Sequence, residues 1–169
     1  AGLEYTGALK VLQMIFSYEY LWIQIRVKGG AYGCMCSFSD QGDSMFVTYR
    51  DPNLAESYKV YDEAADYVAD FDADDRDMKK YIIGTIGSMD MPMEAVDMGA
   101  RSFHAYFLGK TEADLQKVRD QVLSCTQEDI RALAPIVKAV VESGNRCCIG
   151  NEEKIDQNKE YFDEVKHVL

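Results

Sequence analysis

Histidine is scarce in this chain, and its scarcity limits the metal chemistry that the sequence supports. Only His104 and His167 occur among 169 residues, and they are too far apart for the short ligand spacings of zinc sites. The sequence contains no Cys-x-x-Cys pair, and neither histidine is close in sequence to any of the five cysteines. We therefore expect this chain to bind no metal and no other cofactor.

Long apolar runs and an excess of basic residues are also missing. No apolar run approaches the ~20 residues that a membrane-spanning helix needs, and no basic-plus-apolar leader opens the chain. The 18 Lys and Arg residues are outnumbered by 29 Asp and Glu residues, which gives a formal net charge of -11. Because nucleic-acid phosphates require basic surfaces, we expect neither nucleic acid nor membrane as a partner.

No linker, low-complexity tract or internal repeat divides the chain. Its 169 residues are enough to bury a sizeable core, so the sequence predicts a single domain over 1–169. The five cysteines are an odd number without zinc-like spacing, and reduced thiols are typical of reducing compartments. We therefore expect a bacterial cytoplasm or an organelle matrix as the location.

The hydrophobic pattern predicts more helix than strand. Two alternating runs, 32–38 and 44–50, flank a turn-forming segment and predict a β-hairpin. A third run, 146–149, also reads as a strand, and we expect it to pair with the hairpin because two strands alone are marginally stable. Apolar residues at helical spacing predict helices over 7–17, 54–69, 78–87, 92–108, 111–122 and 126–141, the last with a kink near Pro135.

Thr111 with Asp114 and Thr126 with Asp129 predict capping boxes at two helix starts. Gly144 is expected to end the last of these helices, and Asn151 to cap a short helix to residue 158.

Two short segments have more than one interpretation. In 21–27, alternate apolar residues suit a strand, whereas Trp22, Ile25 and Arg26 also share a helical face. The aspartate-rich run 70–77 begins like a calcium loop but lacks that loop's glycine and its bidentate glutamate. We interpret this second segment as the acidic start of a helix, where carboxylates meet the positive end of the helix dipole.

A glycine pair, Gly29 and Gly30, separates an apolar run from the first strand of the hairpin. Glycines let the backbone turn sharply or lie close to a partner. Arg26 before the pair brings a fork of donors that suits carboxylates or carbonyls, and Tyr32 after it brings a rigid ring with a hydroxyl. These side chains can converge on one ligand; alternatively, Arg26 lies at the surface, Tyr32 in the core, and the glycines only form a turn.

Several segments together resemble a known family. They are IRVKGGAYG at 25–33, YRDPN at 49–53, IIGTIG at 82–87 and LGKT at 108–111. In this order they resemble the C-terminal halves of presequence proteases, a branch of the insulinase/pitrilysin family of zinc metallopeptidases. The resemblance covers most of residues 5–150.

The pattern of many helices and few antiparallel strands predicts an α+β fold, in which a small antiparallel sheet is packed on one face by several helices. The resemblance implies that this fold is like that of the C-terminal domains of these metallopeptidases. It also implies that 21–27 is a second short helix. His104, which lies among aromatic residues of the predicted helix 92–108, is expected at the edge of the core.

The resemblance also implies a role for the residues around the glycine pair. In these proteases an N-terminal half binds zinc through an HxxEH motif, and two halves close around an unfolded peptide. This chain has no HxxEH, so the fragment alone should be inactive and its zinc should lie in the missing half. Arg26 and Tyr32 match the family's substrate-contacting positions, and Gly29, Gly30 and Ala31 would bring the backbone close to the peptide.

The expected partners are therefore the N-terminal catalytic half of the same polypeptide and unfolded peptide substrates. A dimer of the isolated fragment is another assembly that we consider. The alternative function is that of a non-catalytic structural relative, in which the other half has also lost zinc. A third interpretation, an unrelated helical interaction module, does not account for IRVKGGAYG and YRDPN.

Overall fold

The computed structural model describes residues 2–167, which form mostly helix around a two-stranded sheet. The helices are α1 (Ala8–Ile15), α2 (Leu54–Asp62), α3 (Ala64–Ala69), α4 (Asp75–Met89), α5 (Ala95–Phe107), α6 (Glu112–Leu123), α7 (Gln127–Arg131), α8 (Ala134–Glu142) and α9 (Glu152–Asp156). The π-helical turns Phe16–Tyr20 and Trp22–Lys28, here called the π segment, follow α1, and Lys159–Tyr161 is a 3₁₀ turn. The strands are β1 (Gly33–Phe38) and β2 (Ser44–Tyr49).

The predicted helix 7–17 is confirmed and continues through the π segment to Lys28. The segment 21–27 is helical because its buried residues are Leu21 and Ile25, four positions apart, whereas Ile23 and Val27 are exposed. Strand alternation would have buried all four on one face. The largest fully buried side chain of this continuous helical stretch is Phe16, which contacts the rings of Phe38 and Phe46 from the hairpin.

The predicted hairpin is confirmed. Its strands pair antiparallel from Gly33 opposite Tyr49 to Phe38 opposite Ser44. Cys36 and Phe38 are buried against the helices, whereas Met35 on the other face is 54% exposed. The molecule is therefore α+β, with a small antiparallel sheet that packs helices on one face, as predicted.

The predicted third strand at 146–149 is wrong. This segment has no regular secondary structure, and the sheet of the described region has two strands. Arg146 instead forms an ion pair with Asp62 at 3.3 Å and lies over the rings of Tyr58 and Tyr161. These contacts hold the segment beside α2. The two strands are stabilised instead by packing against α1 and the π segment.

Two predicted long helices are each divided in the structure. The first breaks at Glu63, between α2 and α3, and the second breaks between α7 and α8. Pro135 lies in the first turn of α8, where its missing N–H has no helical partner to lose. Proline therefore starts a new helix here, whereas the sequence predicted a kink within one helix.

The prediction for α5 is wrong in two respects. Pro92 precedes the helix, which begins at Ala95. His104 is exposed and does not lie at the core edge, because no residue of α5 is buried in this structure. None of the described helices has the length and apolar character of a membrane span.

The predicted helix ends are confirmed by their hydrogen bonds. Asp74 accepts from the N–H groups of Arg76 and Asp77 and starts α4, as the interpretation of 70–77 as a helix start requires. Thr111 and Thr126 each form a capping box with an aspartate three residues later. Gly144 has a φ of +68° just after α8, and Asn151 caps α9.

Candidate functional site

The turn after the π segment requires both of its glycines, each for a different reason. A Cβ at Gly29 would lie 2.6 Å from the carbonyl oxygen of Ile25, which is too close for any other residue. Gly30 has a φ of +77°, a backbone conformation that glycine adopts without strain. The buried Ala31 then donates its N–H to the Ile25 carbonyl at 3.1 Å, so the chain reverses tightly into β1.

The YRDPN segment, residues 49–53, stabilises this turn through a side-chain hydrogen bond. The Asn53 side-chain amide donates to the carbonyl of Gly29. The Asp51 carboxylate fixes Asn53 in turn, because it accepts from the Asn53 N–H at 2.9 Å and from the Ser57 hydroxyl at 2.6 Å. The two segments that carry most of the family resemblance are therefore in contact and form one structural unit.

Tyr32 lies at the surface, immediately beyond this turn. Its N–H donates to the carbonyls of Tyr49 and Arg50 at 3.1 and 3.3 Å, which fixes its backbone against β2. Its side chain is 64% exposed, and its hydroxyl has no hydrogen-bond partner among the described residues. The alternative interpretation that placed Tyr32 in the core is wrong.

Arg26 lies beside Tyr32 on the last turns of the π segment. Its guanidinium is 5.9 Å from the centroid of the Tyr32 ring and 5.5 Å from that of Trp22. Its Nε atom is buried without a hydrogen-bond partner in the protein. The structure thus brings together the two side chains that the sequence placed on either side of the glycine pair.

Three further residues belong to this site, and none of them was predicted from the sequence to be a site residue. Arg50 lies 5.8 Å from the Tyr32 ring centroid and 5.4 Å from that of Tyr49, and the two tyrosine rings meet edge to face at 5.8 Å. Trp22 was predictable, since it lies four residues before Arg26 on a helix. We call the group Trp22, Arg26, Tyr32, Tyr49 and Arg50 the Tyr32 surface; Arg26 is half-buried and the other four are exposed.

The Tyr32 surface carries positive charge in an acidic protein. Within the described region neither Arg26 nor Arg50 forms an ion pair, although the chain carries 29 acidic residues. The nearby Asp51 is engaged by Asn53 and Ser57. Burial raises the pKa of the neighbouring Cys34 thiol, and the positive charge of Arg26 opposes that rise. The surface therefore favours carbonyl or carboxylate groups as ligands.

The chemistry of this surface is that of hydrogen-bond donors. The phenol of Tyr32 and the guanidinium of Arg26 can bind and polarise a carbonyl oxygen. Among residues 2–167, no group of three or more His, Cys, Asp or Glu side chains is arranged to hold a metal ion. The Tyr32 surface can therefore position a substrate and stabilise negative charge, but it offers no metal ligands.

The backbone of the glycine turn is largely engaged within the chain. The Gly29 N–H donates to Gln24 at 3.0 Å, its carbonyl accepts from Asn53, and the Ala31 N–H donates to Ile25. Of the predicted substrate-binding residues, Gly29 and Ala31 therefore shape the turn. The peptide groups of Gly30 form no hydrogen bond in the described structure and remain available to a ligand.

Comparison with known proteins places this chain in a family. The family model described as the PreP C-terminal domain matches residues 1–151. Protein HypA of Clostridium perfringens is 41% identical over 168 residues, which are 99% of this chain and 17% of that protein. Presequence protease 1, chloroplastic/mitochondrial, of Arabidopsis thaliana is 33% identical over 99% of this chain and 16% of its own length.

A mitochondrial presequence protease of Aspergillus fumigatus is 34% identical over 151 residues, or 88% of this chain and 14% of that protein. The chain thus spans less than a fifth of the length of these three relatives. The match to the family model covers the π segment, the glycine turn, the hairpin and Arg50 after it, and therefore the whole Tyr32 surface. This chain belongs to the PreP C-terminal domain family.

Proposed function

We propose that this chain is the C-terminal, non-zinc-binding part of a zinc metalloendopeptidase that degrades short unfolded peptides. In this proposal the Tyr32 surface forms one wall of the active-site chamber. The partner is the N-terminal half of the same polypeptide, which holds zinc through its HxxEH motif. Two relatives named presequence protease support this proposal, as does a family model named for a C-terminal domain.

One observation carries the proposal: Arg26 and Tyr32 lie side by side at the surface with unused donors. Arg26 forms no ion pair with a carboxylate among the described residues, and its Nε is buried and unpaired. The Tyr32 hydroxyl is likewise without a partner beside it. Buried polar groups are nearly always hydrogen-bonded, so the unpaired Nε of Arg26 supports a ligand that would complete it.

The roles follow from the chemistry of peptide hydrolysis. Zinc in the other half would supply the activated water that attacks the scissile carbonyl. Tyr32 would donate a hydrogen bond to the carbonyl oxygen as negative charge develops there. Arg26 would bind a neighbouring peptide carbonyl before and during the reaction, and the Gly30 peptide groups would pair with the extended substrate backbone.

Peptide cleavage by the full-length enzyme tests these roles. Tyr32→Phe should lower kcat by about 10²–10³, the typical effect of removing one oxyanion donor. Arg26→Ala should lower kcat and also raise KM, because the guanidinium contacts the peptide in the ground state as well. Arg26→Lys should restore only part of the loss, since an ammonium group lacks the planar fork.

Matched control variants distinguish these effects on catalysis from a general loss of folded protein. Tyr18 is also an exposed tyrosine, at 63%, but lies outside the Tyr32 surface, so Tyr18→Phe should leave kcat unchanged. Arg76→Ala provides the same control for arginine. Near-normal cleavage by both Tyr32→Phe and Arg26→Ala would contradict the proposal, as would a fall in melting temperature large enough to explain the lost activity.

Metal analysis separates this proposal from a non-catalytic relative. We expect about one zinc per full-length chain and none in the 169-residue chain, because the latter offers no ligand set with zinc spacing. A full-length protein without zinc would favour the structural alternative. The compartment, bacterial cytoplasm or organelle matrix, and a dimer of the isolated chain both remain predictions.

A further inference from the structure

Arg50 has an unusual backbone conformation. Its φ of +49° makes it the one non-glycine residue with positive φ in the described part of the chain. Residues with a Cβ rarely adopt this left-handed conformation, because Cβ approaches the carbonyl oxygen. It persists here because Arg50 lies between two fixed points: its carbonyl accepts from the Tyr32 N–H, and the adjacent Asp51 is held by Asn53 and Ser57.

The left-handed turn changes where the Arg50 side chain lies. In a regular strand, Tyr49 and Arg50 would point to opposite faces of the sheet. Here the Arg50 guanidinium lies over the rings of both Tyr49 and Tyr32. The Tyr32 surface is therefore an alternating row of rings and cations, in the order Trp22, Arg26, Tyr32, Arg50 and Tyr49.

Tyr32 needs such neighbours to hold one orientation. Its ring is 64% exposed, so core packing does not fix the side-chain torsions, and its hydroxyl forms no described hydrogen bond. Two guanidinium groups within 6 Å of the ring centroid and the edge-to-face contact with Tyr49 restrain it instead. Among the described residues, Arg50 forms no ion pair and no side-chain hydrogen bond. The side-chain interactions found for Arg50 in this part of the chain are its contacts with the Tyr32 and Tyr49 rings.

We propose that Arg50 is a positioning residue for Tyr32: through its guanidinium it holds the exposed phenol in the orientation from which the hydroxyl meets the peptide carbonyl. This inference rests on the proposed function, because the step that it supports is the hydrogen bond from Tyr32. It assigns Arg50 no direct contact with the substrate, which distinguishes its role from that of Arg26.

The test uses two substitutions in the full-length enzyme. Arg50→Asn removes the cation but suits the left-handed backbone, since asparagine tolerates this conformation better than most residues. Arg50→Lys keeps a cation that the ring still attracts. We expect Arg50→Asn to lower kcat roughly three- to tenfold with KM unchanged, as a lost cation–π contact would, and Arg50→Lys to recover at least half of that loss on a logarithmic scale.

A double-mutant cycle shows whether Arg50 acts through Tyr32. In a Tyr32→Phe background the ring remains but the hydroxyl is absent, so adding Arg50→Asn should change kcat by less than about twofold. A KM increase that persists in this background would mean that Arg50 contacts the peptide directly, which would overturn the inference. Equal losses in the Asn and Lys variants, together with lowered melting temperatures, would also overturn it by showing a structural role.

The outcomes also separate this inference from the function on which it rests. If Tyr32→Phe is defective but Arg50→Asn has normal kcat, the positioning role is wrong and the proposed function stands. If Tyr32→Phe and Arg26→Ala both cleave normally, the proposed function fails, and the positioning role fails with it.

Discussion

At the scale of single residues, the glycine turn makes a sharp prediction about stability. Gly30→Ala should destabilise the chain by about 1–2 kcal/mol because alanine resists a left-handed φ, and Gly29→Ala should destabilise it through the 2.6 Å approach to the Ile25 carbonyl. Gly33→Ala is the matched control, since nothing lies within 4 Å of its added Cβ. Chemical denaturation of the three variants measures their free energies of unfolding. Equal values for all three variants would contradict this prediction.

Much of the Tyr32 surface was predictable at this scale, and the remainder was not. Arg26 and Tyr32 flank a glycine pair, and a sharp turn there brings their side chains together. Trp22 follows from helical spacing once 21–27 is known to be helix. The position of Arg50 was not predictable, because strand alternation places it on the opposite face from Tyr49. No local sequence signal predicts a left-handed backbone conformation at this arginine.

The thiols give a second prediction at the residue scale. Burial raises the pKa of Cys36 and of Cys125 to about 12, whereas Cys147 is exposed. Alkylation of the native chain with iodoacetamide at pH 8 should therefore modify Cys147 first, and Cys36 and Cys125 only after unfolding. Mass spectrometry of the peptides identifies the modified sites, and early modification of Cys36 would contradict the core that we describe.

The same thiols predict a pH dependence of stability. A raised pKa means that the folded state keeps its proton where the unfolded state loses it. The contribution of Cys36 and Cys125 is therefore fully present below pH 9.0, the ordinary thiol pKa, and is lost as pH rises toward about 12. Denaturation midpoints should fall across this window, and a midpoint that stays constant or rises would be inconsistent with protonated buried thiols.

At the scale of elements, the helix caps are the clearest local signals in the chain. The Thr126 hydroxyl accepts from the Asp129 N–H at 3.2 Å, and the Asp129 carboxylate accepts from the Thr126 N–H at 2.8 Å. Thr126→Ala should therefore destabilise the chain by about 1 kcal/mol. Thr126→Ser keeps the hydroxyl and is the control; equal losses in both variants would show that the cap is not responsible.

Element types were more predictable than element partners. Caps and spacing are local, so α4, α6 and α7 begin where the sequence indicates. The interpretation of 146–149 failed because strand pairing is a tertiary property: Arg146 finds Asp62, Tyr58 and Tyr161 instead of a sheet edge. The break at Glu63 was not predictable from the sequence either, because the apolar spacing continues across it.

At the scale of the whole molecule, α5 contrasts with the core around Ile130. No residue of α5 is buried, and Phe103 is 66% exposed, whereas Ile130 is fully buried. Phe103→Ala should leave the melting temperature of this chain nearly unchanged, while Ile130→Ala should destabilise it by about 2–5 kcal/mol. Thermal unfolding of both variants checks this, and a similar loss for Phe103→Ala would mean that α5 packs on the core.

The architecture suits the proposed role of a chain whose residues 2–167 contain no cluster of metal ligands. The long helical stretch from α1 through the π segment is buried along one side, and the hairpin packs on it. The glycine turn joins these two elements at the surface and presents Arg26 and Tyr32 outward. A rigid scaffold therefore holds two donors in place, which is what stabilisation of developing charge requires.

The central claim is that Tyr32 and Arg26 contact the peptide in the active-site chamber. The most direct measurement is a structure of the full-length protein with an uncleaved peptide bound beside its zinc. We expect the Tyr32 hydroxyl within about 2.5–3.0 Å of the scissile carbonyl oxygen, the range of an O–H···O hydrogen bond, and the Arg26 guanidinium on a neighbouring carbonyl. A bound peptide that touches neither residue would contradict the account.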